Sequence, residues 1–212
     1  MKVRSVNIGK RQNIIWRGKE VQTGIFKKPV DGAIFLGKED VRGDEVVDRR
    51  FHGGLAKACY LYSTEWYSYW QELYPDLDWA YGMFGENISL DEMDESTLHI
   101  GDIFELGGAR IRILSARQPC FKLGVKFGSQ AVIKQFIKQP YPGAYVGVLK
   151  EGKVEKGDEM KFIERPEQSL PLLKVYREFY NSNRDSEFVR EMLENPFLPE
   201  EEKDSLRRKM NQ

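Results

Sequence analysis

The chain has 212 residues, and its 33 lysines and arginines balance 33 aspartates and glutamates, giving a formal net charge of zero. That balance excludes a global basic field able to hold nucleic acid or an anionic membrane surface. Only two cysteines are present, no apolar run approaches the ~20 residues of a membrane span, and Met1-Lys2-Val3-Arg4-Ser5 does not resemble a leader, so a reducing cytoplasm is expected.

Val3 to Ile8 reads as a strand closed by Gly9, and Asn13 to Val21 as a hairpin turning at Gly18-Lys19. Thr23-Gly24-Ile25-Phe26-Lys27-Lys28-Pro29 is a glycine-bearing loop with a hydroxyl and two lysines, either an oxyanion cradle or a solvated turn. Strand pieces follow at Val30 to Leu36 and around Val41. Next comes Arg49-Arg50-Phe51-His52-Gly53-Gly54, where adjacent glycines allow close backbone approach and Arg49, Arg50, His52 and Lys57 supply donors. Cys59 lies in Ala58-Cys59-Tyr60-Leu61-Tyr62, which reads as a buried strand.

Ser63 or Thr64 is expected to cap a helix running to about Tyr74 and stopped by Pro75, with Trp66, Tyr69, Trp70 and Leu73 as its packing face. Asn87 precedes a strand start at Ile88. Beyond residue 97 the pattern is β: Leu98 to Leu106 meets Gly107-Gly108 and returns through Ala109 to Leu114, a tight hairpin. A second hairpin is expected from Tyr145 to Leu149, turning at Glu151-Gly152 into Val154. The similar entries around Gly101-Asp102 and Gly157-Asp158 suggest a barrel-like sheet. Between the hairpins, Ser129 opens a helix with Val132, Ile133, Phe136 and Ile137 on one side. After Arg165-Pro166, three amphipathic helices are expected, ending with Glu200 to Met210, acidic at its start and basic at its end. The class is therefore mainly β with α: a barrel domain over residues 1–164 and a small three-helix domain over 165–212.

The chemistry concentrates at Ala116-Arg117-Gln118-Pro119-Cys120-Phe121-Lys122-Leu123. Pro119 ends the preceding strand, leaving Cys120 on a loop between Arg117 and Lys122, whose charges favour thiolate over thiol. The alternative is a buried cysteine acting as a small hydrophobe. There is no phosphate-binding Gly-Lys-Ser/Thr loop, no dinucleotide fingerprint, and no zinc spacing. A hydrolytic dyad of Cys120 with His52 or His99 has the right residue types, but nothing in the spacing brings them together. A loop cysteine among glycine-rich cationic loops fits an anionic, phosphate-bearing ligand.

Several stretches together resemble the MOSC family, most closely its YiiM-type branch, which is associated with resistance to N-hydroxylated purines such as 6-hydroxylaminopurine. They are Thr23-Gly24-Ile25-Phe26-Lys27, Gly43-Asp44, His52-Gly53-Gly54 with Lys57-Ala58 and Tyr60, Phe84-Gly85-Glu86-Asn87, Ile100-Gly101-Asp102, and Gln118-Pro119-Cys120-Phe121-Lys122-Leu123. The three C-terminal helices look like the extra domain of that branch. The resemblance implies a MOSC-type β-barrel in which Cys120 ligates the molybdenum of the molybdenum cofactor (molybdopterin). It further implies that Thr23, Lys27, Arg49, His52, Gly53, Gly54, Lys57 and Arg117 receive the cofactor phosphate and that Asn87 orients pterin or substrate. The implied activity is reduction of N-hydroxylated small molecules, with an external electron-donor protein, no nucleic-acid or membrane partner, and a homodimer. Phe51 stands where many relatives carry a second histidine, and the loop Tyr141 to Gly147 lacks the expected arginines. The other readings are a persulfide carrier on Cys120, as sulfurase relatives suggest, and a non-enzymatic module binding a phosphorylated ligand.

Overall fold

The computed structural model describes residues 1–47, 54–139 and 141–210. The first strands are β1 (Lys2–Gly9), β2 (Gln12–Trp16), β3 (Lys19–Thr23), β4 (Lys27–Pro29), β5 (Ile34–Leu36) and β6 (Cys59–Ser63). A 3-10 turn, Thr64–Trp66, leads into helix α1 (Tyr67–Leu73), followed by β7 (Ile88–Asp91), β8 (His99–Ile100), β9 (Ile103–Leu106) and β10 (Ala109–Ala116). Helices α2 (Phe121–Lys126) and α3 (Ala131–Lys138) precede β11 (Ala144–Lys150), β12 (Gly152–Val154), β13 (Met160–Glu164) and β14 (Leu170–Pro171). The chain ends in α4 (Leu172–Glu178), α5 (Ser186–Glu194) and α6 (Glu200–Met210).

Eight strands form one sheet in the order β13-β9-β10-β11-β6-β7-β1-β4. All its pairs are antiparallel except β6 with β7. The barrel expected from the sequence is thus an open sheet. Bulges in β1, β10 and β13 curl it. Its far side touches the start of β1 through the isolated bridge Lys2–Glu159 and the bond from Met160 N to Met1 O.

Strand β6 explains how two cores fit one sheet. Successive side chains of a strand point to opposite faces. Cys59 and Leu61 accordingly enter a large aliphatic cluster, while Tyr60 and Tyr62 enter an aromatic one with Tyr67, Trp70, Phe84, Phe127 and Phe136. Helices α1, α2 and α3 cover the aromatic side. The aliphatic cluster also takes in Leu172, Val175, Phe188, Val189, Met192 and Leu206, so α4, α5 and α6 share a core with the sheet.

The β2–β3 hairpin forms as expected, but it turns at Arg17-Gly18, both with positive φ (51° and 74°), the pairing a type I′ turn requires. The β9–β10 hairpin turns at Gly107-Gly108 as read. The expected hairpin of β11 with β12 does not form. Strand β11 pairs with β10 along most of its length and with β6 through Ala144–Val146, and β12 pairs instead with β5. In α1 the buried residues are Tyr67 and Trp70, whereas Tyr69 and Leu73 are exposed. The 3-10 turn ahead of it has three residues per turn and shifts the helix phase; Ser63 stands at that start without a side-chain cap. Helix α2 was not expected from the sequence.

Candidate functional site

Strand β10 delivers the chain to the site. Arg117, Gln118 and Pro119 follow its last residue, and Cys120 occupies the position before α2 with extended backbone (φ −127°, ψ 168°). Its carbonyl accepts from Leu123 N at 2.9 Å, which closes the first helical turn. Cys120 is half-buried and lines a cleft together with Thr23, Lys57, Tyr60, Arg117, Lys122 and Tyr145. Cys59, by contrast, is 1% exposed in the core, and burial pushes its thiol well up from the ordinary range.

Of the residues expected at the site, Thr23, Lys27, Lys57, Asn87, Arg117 and Cys120 all line this cleft. Gly54 does not; with φ +77° it makes a turn whose N–H donates to Glu39 O at 2.9 Å. Arg49, His52 and Gly53, with Phe51, lie outside the described residues. His99 sits on β8, and its ring faces Thr97 O at 3.3 Å, so it forms no dyad with Cys120.

The cations differ sharply in what already opposes them. Lys27 is ion-paired with Asp44, both side chains nearly sealed from solvent. Asp44 also accepts from Gly9 N at 2.7 Å and from Asn87 Nδ2 at 3.1 Å. Lys57 lies 3.4 Å from Glu201 and 3.9 Å from Glu202, both on α6. Arg117 is buried, donates to Phe84 O, and stands 4.9 Å over the Tyr60 ring and 5.6 Å over Phe136. Burial pulls its pKa down, but the neighbouring Tyr60, Tyr145 and Cys120 outweigh that and raise it, so the guanidinium stays charged. Tyr145 is pushed up by burial, against the pull of Arg117.

Lys122 is the exception. It is 9% exposed, it lines the cleft, and no hydrogen bond or ion pair among the described residues engages its ammonium. An ammonium that lines a cleft without a counter-ion can take one from an anionic ligand. The sequence puts Lys122 two residues after Cys120 but gives no way to see that, unlike Lys27 and Lys57, it would face no carboxylate.

The Gly85-Glu86-Asn87 stretch builds the back wall. Glu86 accepts from Tyr67, from Gly82 N at 2.7 Å, from Phe84 N at 3.0 Å and from Ser89 Oγ at 2.9 Å. Asn87 donates to Asn7 O and Asp44 and accepts from Tyr60 N at 3.3 Å. Its amide is therefore committed to holding three segments together. Lys126 ties the Thr23 loop to the same wall by donating to Ile25 O at 3.0 Å and Gly82 O at 2.6 Å. Burial lowers the Lys126 pKa to about 7. The site thus offers an accessible sulfur, a locked guanidinium beside it, and one unopposed ammonium.

A family model described as MOSC domain matches residues 48–161. Over 198 residues the chain is 33% identical to YflK of Bacillus subtilis, covering 93% of this chain and 89% of the relative. It is 34% identical over 163 residues to a Gibberella moniliformis protein named Reductase, covering 76% of this chain and 29% of that longer one. The crystal structure of YiiM from Geobacillus stearothermophilus superposes with a TM-score of 0.81 at 26% identity, covering 99% of this chain and 98% of that one.

Proposed function

We infer the function from one premise: this chain belongs to the MOSC domain family, in its YiiM-type branch. We propose that it is a molybdenum-cofactor-dependent reductase of N-hydroxylated compounds, such as N-hydroxylated purine bases, with Cys120 as the protein ligand to the metal. The observation that carries this reading is the half-buried Cys120 beside a locked Arg117 and an unopposed Lys122 in one cleft.

The donor set suits the cofactor. Thiolate is a soft ligand of the kind such a metal takes. No group of three or more His, Cys, Asp or Glu able to hold a metal ion occurs among the described residues, which suits a metal that brings other ligands with it, as a dithiolene does. When bound, the cofactor supplies the two-electron chemistry by which N–OH and two protons become N–H and water. The chain's own residues do the remainder. Lys122 and Arg117 would oppose the charge of the cofactor's phosphate and Cys120 would hold its metal, with the paired rings of Tyr60 and Tyr145 lining the same cleft. Lys27 and Asn87 act one layer back, holding Asp44 at the wall.

The name of the Gibberella relative supports a redox activity. The reading includes an external electron-donor protein, a cytoplasmic location and a homodimer; no helix among the described residues is long and apolar enough to cross a membrane. The test is to make the full chain in a cofactor-competent host, measure molybdenum, and follow reduction of 6-hydroxylaminopurine driven by a reduced viologen dye. Molybdenum and turnover should be present in the wild type and in Cys59→Ala, and absent from Cys120→Ala. Sulfane sulfur on Cys120 without molybdenum would instead make the chain a sulfur carrier.

A further inference from the structure

The last helix reaches the cleft from outside the segment that matches the family model, which ends at residue 161. Glu202 on α6 is 6% exposed, and its Oε2 accepts from Gln118 Nε2 at 2.6 Å. Its other oxygen lies 3.9 Å from Lys57 Nζ. Gln118 and Lys57 both line the cleft, and Gln118 stands two residues before Cys120. The other charged or titratable groups around Glu202 are Glu201, Lys209, Tyr145 and Tyr180.

Burial raises the Glu202 pKa while Lys57 and the Gln118 amide pull it down. As a carboxylate it only accepts, so it takes the NH2 side of the Gln118 amide and thereby sets which way that amide is turned. The Gln118 carbonyl oxygen then has no donor among the described residues and is available to the cleft. The same carboxylate joins Glu201 in opposing the charge of Lys57, which weakens that lysine as an anion site beside Lys122.

We propose that Glu202 is a positioning residue of the Cys120 cleft, turning the Gln118 carbonyl toward an N–H or O–H donor of the substrate and holding Lys57 against the wall. This rests on the reading of the cleft as the reductase site. Two measurements on the full chain test it, one of which does not depend on turnover.

The first is calorimetric titration of cofactor-free protein with orthophosphate. Removing a negative charge beside Lys57 should tighten phosphate binding about fivefold or more in Glu202→Gln, while Glu202→Asp stays near the wild type. The second is turnover of the loaded enzyme, which should fall about tenfold in Glu202→Gln and recover in Glu202→Asp. A folded Glu202→Gln with unchanged phosphate affinity overturns the proposal whatever its turnover, because a purely packing role would lower stability without moving anion binding. If Glu202→Gln does not fold, side-chain amide exchange in the wild type decides. Gln118 protons should exchange about tenfold more slowly than those of exposed Gln12, and equal rates overturn the proposal. No turnover in the wild type would overturn the reductase reading alone, and the phosphate and exchange results would still judge Glu202.

Discussion

At position 122 a lysine lines the cleft with no carboxylate against it among the described residues, whereas Lys27 and Lys57 in the same cleft each face one or more. An anion entering there gains most from the ammonium whose charge nothing else has met. Lys122→Met should therefore weaken orthophosphate binding by about tenfold, and Lys57→Met by much less, as read by calorimetry on the cofactor-free chain. Glu95 presents the opposite problem. It is fully buried, and burial raises its pKa from 4.5 to about 7 against the opposite pull of Trp66 and the Gly143 backbone. The unfolded chain releases this proton near 4.5 while the folded one keeps it to about 7, so stability is lost as pH rises through that window. The shift corresponds to roughly 3 kcal/mol. Glu95→Gln removes the titration, so the difference in urea stability between variant and wild type should move in favour of the variant between pH 4 and pH 8 by an amount of that order. A pH-independent difference would show that the carboxyl is hydrated in the folded state.

At the scale of elements, Gly152 at the start of β12 is a place where two backbones meet closely. Strand β12 crosses the β9–β10 turn, and a Cβ at Gly152 would lie 2.3 Å from the carbonyl of Gly108. Backbone cannot yield as a flexible side chain can, so Gly152→Ala should cost about 2–3 kcal/mol in urea denaturation, whereas exposed Lys153→Ala should cost under about 0.5. The β9–β10 hairpin itself was legible because Gly107-Gly108 and the alternation of Ala109 to Leu114 are local features. The pairing of β12 was not, since its partner β5 lies far earlier in the chain, where no local pattern points to it. Helix α2 escaped notice because it is six residues long, contains Gly124, and starts without a side-chain cap. The site divides along the same line. Cys120 and Arg117 could be read from their own neighbourhood. The Lys27–Asp44 pair spans 17 positions and the Gln118–Glu202 bond spans 84, and no local pattern encodes either.

For the molecule as a whole, the question is whether α4, α5 and α6 fold with the sheet or beside it. Their apolar residues belong to the same cluster as Val3, Ile111, Val146 and Met160. Leu172 N donates to Leu98 O at 2.9 Å, and Tyr176 Oη donates to Phe136 O at 3.2 Å, so α4 is tied both to the residue before β8 and to α3. Glu202 then joins the far end of the chain to the cleft. A core shared in this way makes loss of the helices and loss of the sheet one event. The four tryptophans, Trp16, Trp66, Trp70 and Trp79, all precede residue 80, so their fluorescence reports the sheet side while far-UV circular dichroism also weighs the helices. In urea the two probes should give coincident transitions. Met192→Ala, which empties a fully buried position on α5, should lower both midpoints together by a stability loss of about 2–5 kcal/mol. A dichroism loss that precedes the fluorescence change, widening in Met192→Ala, would mean that the helices unfold as a separate unit. The cleft would then keep its sulfur and its arginine but lose Glu202 at lower denaturant than it loses the rest of its wall.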